Sequence, residues 1–345
     1  MRFRSWITIV TVILLGLVVF LARKEILHAW SLLGSVNVWI LALVIPVQFL
    51  SYYAVGGMIF SYLRAKGNLK ETSQWQITRM ALELNFVNHI FPSGGAAGFS
   101  YLGWVLGRHG VSAGRATIAQ IIRFVLTFVS FIILLLISVL ILTFDHNINR
   151  TVIVISLGLT LIAIAVTFLI IYVIGSQVRL VRFSGWLTRV VNNFVAKVTR
   201  GKNPHILILA KIEGFFEELH QDYLSIRRDN TILIRPFAWS MFAMITDIML
   251  FYICFLALGT PISPATLTVA IGVSAIASLI SVAPGGAGVY EAVMIAFLAS
   301  AHVPADVAIA GTLLARVTLV LGTIIFGYVF YQLTIVKYGK RPTDS

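Results

Sequence analysis

Val282 to Glu291, with the sequence VAPGGAGVYE, is the stretch that decides how this chain is organised. It places one proline and three glycines within a long apolar region, so it breaks a membrane helix and sets a carboxylate just past the break. In hydrocarbon, irregular backbone survives only where neighbouring protein or a water-filled cavity satisfies its polar groups. A break of this kind at membrane depth therefore predicts a binding site.

A second, looser copy of this stretch lies upstream and reads FPSGGAAGF, Phe91 to Phe99. The separation along the chain from Pro92 to Val111 equals the separation from Pro284 to Val303. Each valine opens a similar phrase, VSAGRA in the first copy and VPADVA in the second. These matched spacings indicate an internal repeat.

Each break is also followed by a long apolar run that contains one arginine. The separation from Pro92 to Arg123 is nearly the same as that from Pro284 to Arg316. We therefore predict two repeats, residues 71–143 and 264–335, each a re-entrant or broken helical hairpin followed by a full-length helix with one buried arginine.

The composition excludes a soluble globular protein. Hydrophobic residues make up 59% of the 345 residues and charged residues 11%, with a mean hydropathy of +0.95, whereas a soluble domain has about 25% charged residues. The net charge of +13 comes from Lys and Arg that lie mostly in short segments between apolar runs, where they set topology and meet anionic lipid. We expect no nucleic-acid partner. The single cysteine, Cys254, excludes a disulfide within the chain.

The apolar runs predict an all-α polytopic membrane protein, a single integral domain over residues 1–345 with about six full spans besides the two hairpins. The predicted spans are 6–22, which we expect to be uncleaved, 36–63, 116–143, 151–174, 233–258 and 306–335. Basic segments, including 64–70, place both termini in the cytoplasm, and the neutral turns 145–149 and 259–264 lie outside. Three full spans separate the hairpins, so the repeats are predicted to be inverted.

Residues 175–230 form the largest predicted cytoplasmic segment. Within it, apolar residues recur at helical spacing from Ile208 to Ile226, with charged residues between them. This pattern predicts an amphipathic helix. It lies either on the membrane surface or against the underside of the bundle.

Four ionisable residues in the apolar regions are candidate substrate-binding residues: Arg123, Asp247, Glu291 and Arg316. Such groups are rare in membrane spans and often functional. An arginine can hold a phosphate in bidentate geometry. The alternative for the arginines is internal pairing with Glu291, Glu83 or Asp247. Glu291 could instead cap its helix. Asp247 could carry a proton, but the sequence favours pairing with an arginine.

The glycines of the two breaks are also candidate binding residues, because glycine allows left-handed backbone and helix amides after it can bind an anion. They are Gly94, Gly95, Gly285, Gly286 and Gly288. The alternative is helix packing, since Gly94 to Gly98 and Gly103 to Gly107 both have GxxxG spacing.

The sequence contains no metal-binding motif and no nucleotide-binding P-loop, and its seven histidines include no i, i+4 pair and no HExxH. One GxSxG match occurs, GVSAG from Gly110 to Gly114. In an all-α chain it lacks the strand-to-helix turn that a serine esterase needs, so it does not support that activity. We therefore expect no metal, no cofactor and no catalytic residue.

The motif PGGAGVYEA, Pro284 to Ala292, together with the helix bearing Arg316 and the earlier glycine-rich copy, resembles the lysylphosphatidylglycerol synthase transmembrane-region family. That family includes the membrane part of bacterial proteins that make and flip aminoacylated phosphatidylglycerol, and stand-alone members with no synthase domain. The family's first repeat often carries carboxylates; here Ala96-Ala97-Gly98 and Ile122-Arg123-Phe124 stand instead. Arg123 matches the family pattern.

The resemblance implies a multi-pass protein of the bacterial plasma membrane that moves a charged phospholipid, such as an aminoacyl-phosphatidylglycerol, or a lipid-linked headgroup between leaflets. Its partners would be membrane lipids, and a homo-oligomer or a lipid-modifying partner enzyme stays open. We expect no synthase domain, which favours a transporter over an enzyme. The alternatives are a membrane-embedded component of phosphatidylglycerol lysyltransferase-type lipid modification, a flippase for a polyprenyl-phosphate-linked sugar, or a scaffold.

Overall fold

The computed structural model of the chain describes residues 36–90, 96–144, 150–198, 217, 220, 221, 224–278 and 288–338, and the regular secondary structure in these ranges is helical. The helices of the first half are α1 (Val38–Ala42), α2 (Val44–Ala65), α3 (Gln74–Ile90), α4 (Ala96–Gly107) and α5 (Ala113–Phe144). They are followed by α6 (Arg150–Ile174), α7 (Gln177–Val198), a 3₁₀ helix (Asn230–Leu233), α8 (Ile234–Ala257), α9 (Pro264–Ser278), α10 (Val289–Ser300) and α11 (Ala305–Tyr338).

Local sequence explains several helix ends. The side chain of Asn37 accepts hydrogen bonds from amides of the first turn of α1, which is the usual role of an N-cap. Ser73 and Gln76 exchange backbone-to-side-chain bonds at the start of α3, as a capping box does. Gly110 and Gly259 have φ angles of +75° and +76° in the turns after α4 and α8, a conformation that glycine adopts without strain.

Four helical segments are long and apolar enough to cross a membrane: Val38–Ala65, Gly114–Phe144, Asn230–Ala257 and Ala305–Lys337. They coincide with four of the predicted spans. The predicted span 151–174 is helical as α6, and the predicted span 6–22 lies outside the described residues. The chain is an all-helical membrane protein with several apolar helices.

The two predicted hairpins contain helices too short to cross a bilayer. The helices α3 and α4 have 17 and 12 residues, and α9 and α10 have 15 and 12. At about 1.5 Å per residue, none reaches the roughly 30 Å of the hydrocarbon core. Within each hairpin the two helices pack on each other. The breaks themselves, residues 91–95 and 279–287, lie outside the described residues.

The helices that precede the hairpins, α2 and α8, pack closely on each other and run antiparallel. At one end the amide of Asn37 donates to the carbonyl of Ala257 over 2.8 Å, and further along α2 the rings of Tyr53 and Trp239 meet edge to face at 5.4 Å. Each long helix packs on the first helix of the other hairpin, α5 on α9 and α11 on α3. Each hairpin is therefore contacted by the long helix that follows the other hairpin.

Two apolar clusters form the core, one around each hairpin. The α9–α10 cluster includes the C-terminal half of α5 (Leu135, Leu142) and the N-terminal part of α11 (Ala308, Leu314, Ala315). The α3–α4 cluster includes the opposite ends of the same helices. Its residues are Ala116, Ile118 and Ala119 from α5 and Tyr331 and Ile335 from α11. The long helices α5 and α11 thus run antiparallel between the clusters.

Polar side chains fall between the two clusters, and we call this set the polar layer. On α2, α5 and α11 these residues lie between the positions that belong to each cluster, and the others are bonded to them. The layer consists of Gln48, Ser51, Tyr52, Arg123, Ser130, Ser240, Asp247, Glu291, Arg316 and Thr323. Ser130 and Ser240 link α5 to α8 over 2.9 Å.

The segment predicted as cytoplasmic, 175–230, contains a helix that the sequence analysis did not identify. The helix α7 is strongly amphipathic, with Leu180 buried in the α3–α4 cluster and Arg182 and Arg189 exposed. The predicted amphipathic helix from Ile208 to Ile226 lies mostly outside the described residues, and residues 224–228 are helical.

The packing interpretation of Gly103 and Gly107 is wrong for contacts among the described residues. A Cβ added at either position would have no heavy atom within 4 Å, so neither glycine permits a close helix approach. Close approaches occur on α11, where a Cβ at Gly311 would overlap the ring of Phe255 and one at Gly322 would overlap the side chain of Gln48.

Candidate functional site

Glu291, at the start of α10, and Arg316 of α11 lie together in the structure. Glu291 is the third residue of α10, and its Oε1 accepts a hydrogen bond from Arg316 Nε over 2.5 Å. Its Oε2 accepts from the amide of Gly288 over 2.6 Å. The guanidinium of Arg316 also lies 4.5 Å from the ring centroid of Tyr290. Glu291 thus pairs with an arginine and caps its own helix at the same time.

Gly288 gives this arrangement its backbone geometry. It has φ +86° and directly precedes α10, a conformation that most side chains adopt only with strain. Its amide points to the carboxylate three residues later. The other predicted glycines of the breaks, Gly94, Gly95, Gly285 and Gly286, lie outside the described residues.

Asp247 of α8 does not pair with an arginine in the described part of the chain, so that expectation is wrong there. Its Oδ1 accepts a hydrogen bond from Ser51 Oγ of α2 over 2.6 Å. Tyr52 and Tyr290 are near enough to interact electrostatically with it. The side chain is exposed even though it contacts a neighbouring helix in the middle of a span, which indicates an opening between the helices.

A hydrogen-bonded group that was not predicted from the sequence joins α2 to α11 beside the Ser51–Asp247 pair. Gln48 Nε2 donates to the hydroxyl of Tyr52 over 2.7 Å and to the carbonyl of Leu319 over 2.9 Å. The Tyr52 hydroxyl lies 2.5 Å from Thr323 Oγ1. A glutamine within an apolar run was the sequence signal for this group.

Arg123 of α5 has no acidic partner among the described residues. Its Nε is buried without a hydrogen-bond partner, and its guanidinium lies 4.6 Å from the ring centroid of Phe124. Phe124 stacks on Phe99 at 5.6 Å. By the spacing from the two prolines, Phe99 holds the position in the first repeat that Glu291 holds in the second. The first repeat therefore places an aromatic ring where the second places a carboxylate.

Two further buried polar groups stand near Arg123. Gln120, one turn earlier on α5, donates to the carbonyl of Gly98 over 3.5 Å, but its Oε1 has no partner. Asn88 at the end of α3 is close to Gly98, and its Oδ1 also has none. Since buried polar groups are normally hydrogen-bonded, this set indicates water or a ligand beside the first break. Neither Gln120 nor Asn88 was predicted from the sequence as a site residue.

Glu83 is not the partner of Arg123 or Arg316, contrary to one sequence-based alternative. It is 1% exposed and pairs with Arg79, one turn earlier on α3, over 2.8 Å. Tyr101 and Thr334 donate to its two oxygens over 2.7 and 2.6 Å. This network joins both helices of the first hairpin to α11, so it is explained by packing.

No group of three or more metal-ligating side chains occurs in the described ranges. The polar layer as defined contains no histidine. It offers hydroxyl and amide hydrogen-bond donors, two guanidinium groups and two carboxylates. Such a set recognises a charged, phosphate-containing group better than it recognises a metal ion.

Comparison with known proteins shows the family to which the chain belongs. Residues 6–327 match the family described as lysylphosphatidylglycerol synthase TM region. A "UPF0104 membrane protein" of Methanothermobacter thermautotrophicus is 23% identical over 261 residues, which are 71% of this chain and 75% of that protein. A second "UPF0104 membrane protein" of the same organism is 24% identical over 221 residues, 64% of this chain and 61% of that protein. Because the family match covers nearly the whole chain, the protein belongs to the lysylphosphatidylglycerol synthase transmembrane-region family.

Proposed function

We propose that this protein moves a phospholipid whose headgroup carries both a phosphate and a positive charge, such as an aminoacyl-phosphatidylglycerol, between the two leaflets of the membrane. The observation that carries the proposal is the composition of the polar layer. Within the described residues it holds an arginine without an acidic partner, Arg123, and a carboxylate without a basic partner, Asp247.

The two unpaired charges match the two charges of such a headgroup. Arg123 would hold the phosphate, since guanidinium and phosphate form strong charge-assisted hydrogen bonds. Asp247 would accept the ammonium group, in addition to its bond from Ser51. An unpaired charge in a membrane interior costs several kcal/mol, so each of these residues gains from a bound partner.

The Glu291–Arg316 pair would act as the switch of the site. In the empty state each charge compensates the other. A phosphate that enters the polar layer would compete with Glu291 for Arg316, which would loosen α10 from α11. Release of the phosphate would restore the ion pair. The glycine break before α10 would absorb the movement of this helix.

An inverted repeat would let the site open to either leaflet in turn. Three observations support it. The helices α2 and α8 are antiparallel, and α5 and α11 contribute opposite ends to the two clusters. In addition, α5 packs on the second hairpin and α11 on the first. Under the positive-inside rule the basic ends of α2 and α8 face the cytoplasm. The repeat boundaries 71–143 and 264–335 and cytoplasmic termini are part of this proposal.

The test is headgroup movement in proteoliposomes that contain alanyl-phosphatidylglycerol, whose headgroup has one phosphate and one ammonium group, in one leaflet. The wild-type protein should move this lipid, and Asp247→Asn should slow it at least tenfold, because a hydrogen bond to a charged group contributes roughly 1.5–3 kcal/mol. Phosphatidylglycerol, which lacks the ammonium group, is the matched control lipid and should be affected less by the same substitution.

Two outcomes would contradict the proposal. An equal loss in the rate of movement of both lipids would show that Asp247 does not recognise the ammonium group. Inactivity of the wild-type protein towards every phospholipid tried would favour a polyprenyl-phosphate-linked glycan as the cargo.

A further inference from the structure

A cavity of about 600 Å³ lies between the basic ends of α2 and α8, separate from the polar layer. None of the polar-layer residues lines it. Its wall contains two arginines and no acidic side chain. The residues that matter for its chemistry are Tyr53, Ser61, Arg64, Gln74, Arg235 and Trp239.

Arg64, in the last turn of α2, is held in place but keeps a free donor. Its Nη1 donates to Gln74 Oε1 over 3.1 Å, and its Nη2 donates to the carbonyl of Thr72 over 2.6 Å. Its Nε is buried and has no hydrogen-bond partner. Both acceptors are neutral, so the positive charge of Arg64 is fixed at the cavity wall and has no ion pair within the described ranges.

Arg235, in the first turn of α8, supplies the second positive charge. Its side chain is exposed, and it has no ion pair among the described residues. The carboxylate closest to it in sequence belongs to Asp229. Its Oδ1 accepts hydrogen bonds from the amide and the hydroxyl of Thr231 over 3.1 and 2.5 Å. Two uncompensated arginines on one cavity are the usual composition of a phosphate site.

The same two helices also contribute an aromatic wall to the cavity. Trp239 meets Tyr53 edge to face at 5.4 Å, and a Cβ at Gly57 would lie 2.6 Å from the indole ring. Glycine at this position therefore lets the tryptophan ring lie directly against α2. Tryptophan and tyrosine favour the interface between headgroups and acyl chains, which is where the glycerol part of a phospholipid lies.

We propose that this cavity binds the phosphate of an anionic phospholipid from the leaflet at the basic ends of α2 and α8. The two arginines hold the phosphate oxygens, and the aromatic wall contacts the glycerol backbone. The inference goes beyond the proposed function, because binding here does not require that the protein moves lipid.

The experiment titrates the purified full chain in detergent with dioleoyl-phosphatidylglycerol and counts bound lipid by native mass spectrometry. Arg235→Gln should weaken binding at least tenfold, since one charge-assisted hydrogen bond is lost. Arg228→Gln removes the same charge at an exposed position at the same end that does not line the cavity, and its binding should stay within twofold of wild type. Arg235→Lys should restore part of the affinity.

Arg64→Gln should have an effect similar to that of Arg235→Gln, but it also removes contacts to the start of α3. The Arg235→Gln result therefore decides the question if Arg64→Gln fails to fold. Equal binding by wild type and Arg235→Gln would overturn the proposal. Displacement of the lipid by millimolar inorganic phosphate would also overturn it, because the site would then belong to a soluble anion.

Discussion

At the scale of single residues, the charged side chains of this membrane protein divide into paired and unpaired groups. Arg79 pairs with Glu83 and Arg316 with Glu291, whereas Arg123 has no ion pair in the described part of the chain. A buried ion pair and an uncompensated arginine respond differently to substitution, because removal of one partner leaves the other charge unpaired. The difference predicts distinct stability and transport phenotypes for substitutions at paired and unpaired residues.

Arg316→Ala and Glu291→Gln should impair lipid movement in different ways. Without Arg316 the phosphate loses a ligand and Glu291 loses its partner, so movement should stop and thermal stability should fall. With Glu291→Gln the carboxylate no longer competes for Arg316, so lipid should bind more tightly and leave more slowly. Equilibrium binding and leaflet-asymmetry assays on both variants would distinguish these effects; normal movement by both would reject the switch.

Arg123→Ala should stop lipid movement with only a modest loss of stability, since its described interaction is a contact with Phe124, and a cation–π contact of a buried cation contributes about 2 kcal/mol. Arg79→Ala provides the contrast. It leaves the fully buried Glu83 without its partner, which should cost about 3–5 kcal/mol of stability. Thermal unfolding in detergent measures both, and a larger destabilisation by Arg123→Ala would assign Arg123 to structure.

At the scale of helices, α11 approaches neighbouring side chains closely at its glycines. It contacts the first hairpin near its C-terminus and the second near its N-terminus, and its glycines face side chains of other helices. A rigid helix that touches both hairpins can couple movement at one break to the other. Its packing is therefore as important to the proposed cycle as the polar residues that it carries.

Gly311→Ala should destabilise the protein, because the new Cβ would overlap the ring of Phe255, which is fully buried. Overpacking of this kind costs roughly 1–3 kcal/mol. Gly103→Ala on α4 adds the same methyl group where no heavy atom lies within 4 Å. We expect a lower thermal midpoint for Gly311→Ala and an unchanged or raised one for Gly103→Ala; equal midpoints would contradict the described α8–α11 packing.

At the scale of the whole molecule, two apolar clusters enclose a polar layer, and each cluster is built around one hairpin. The helices of the two hairpins therefore pack at opposite ends of the antiparallel pair α5 and α11. If the basic ends of α2 and α8 face the cytoplasm, the first hairpin belongs to the cytoplasmic half and the second to the external half. Topology is thus the global property on which the proposed mechanism depends.

Cysteines at Lys70 and Ser263 should react with an impermeant maleimide from opposite sides of the membrane, in a Cys254→Ala background. Both native side chains are exposed, and they lie near opposite ends of the antiparallel helices α2 and α8. Lys70→Cys should react from the cytoplasmic side and Ser263→Cys from outside. Reaction of both from one side would exclude the inverted arrangement.

The sequence by itself determined the class of the protein, the positions of four long apolar helices and the family. These follow from hydrophobicity and helix-breaking residues, which act over short distances along the chain and therefore leave a local pattern. The pairing of Glu291 with Arg316 was also among the predicted alternatives, because the matched repeats placed both residues at membrane depth.

The tertiary structure decided which charges are compensated. The sequence could not show that Glu83 pairs with Arg79, that Asp247 receives a hydroxyl from Ser51, or that Arg123 faces an aromatic ring in place of a carboxylate. Nor could it show that Arg64 and Arg235, which stand far apart in the sequence, line one cavity. Charge compensation depends on distances of a few ångströms between helices that are remote in sequence, and only the packing of those helices sets these distances.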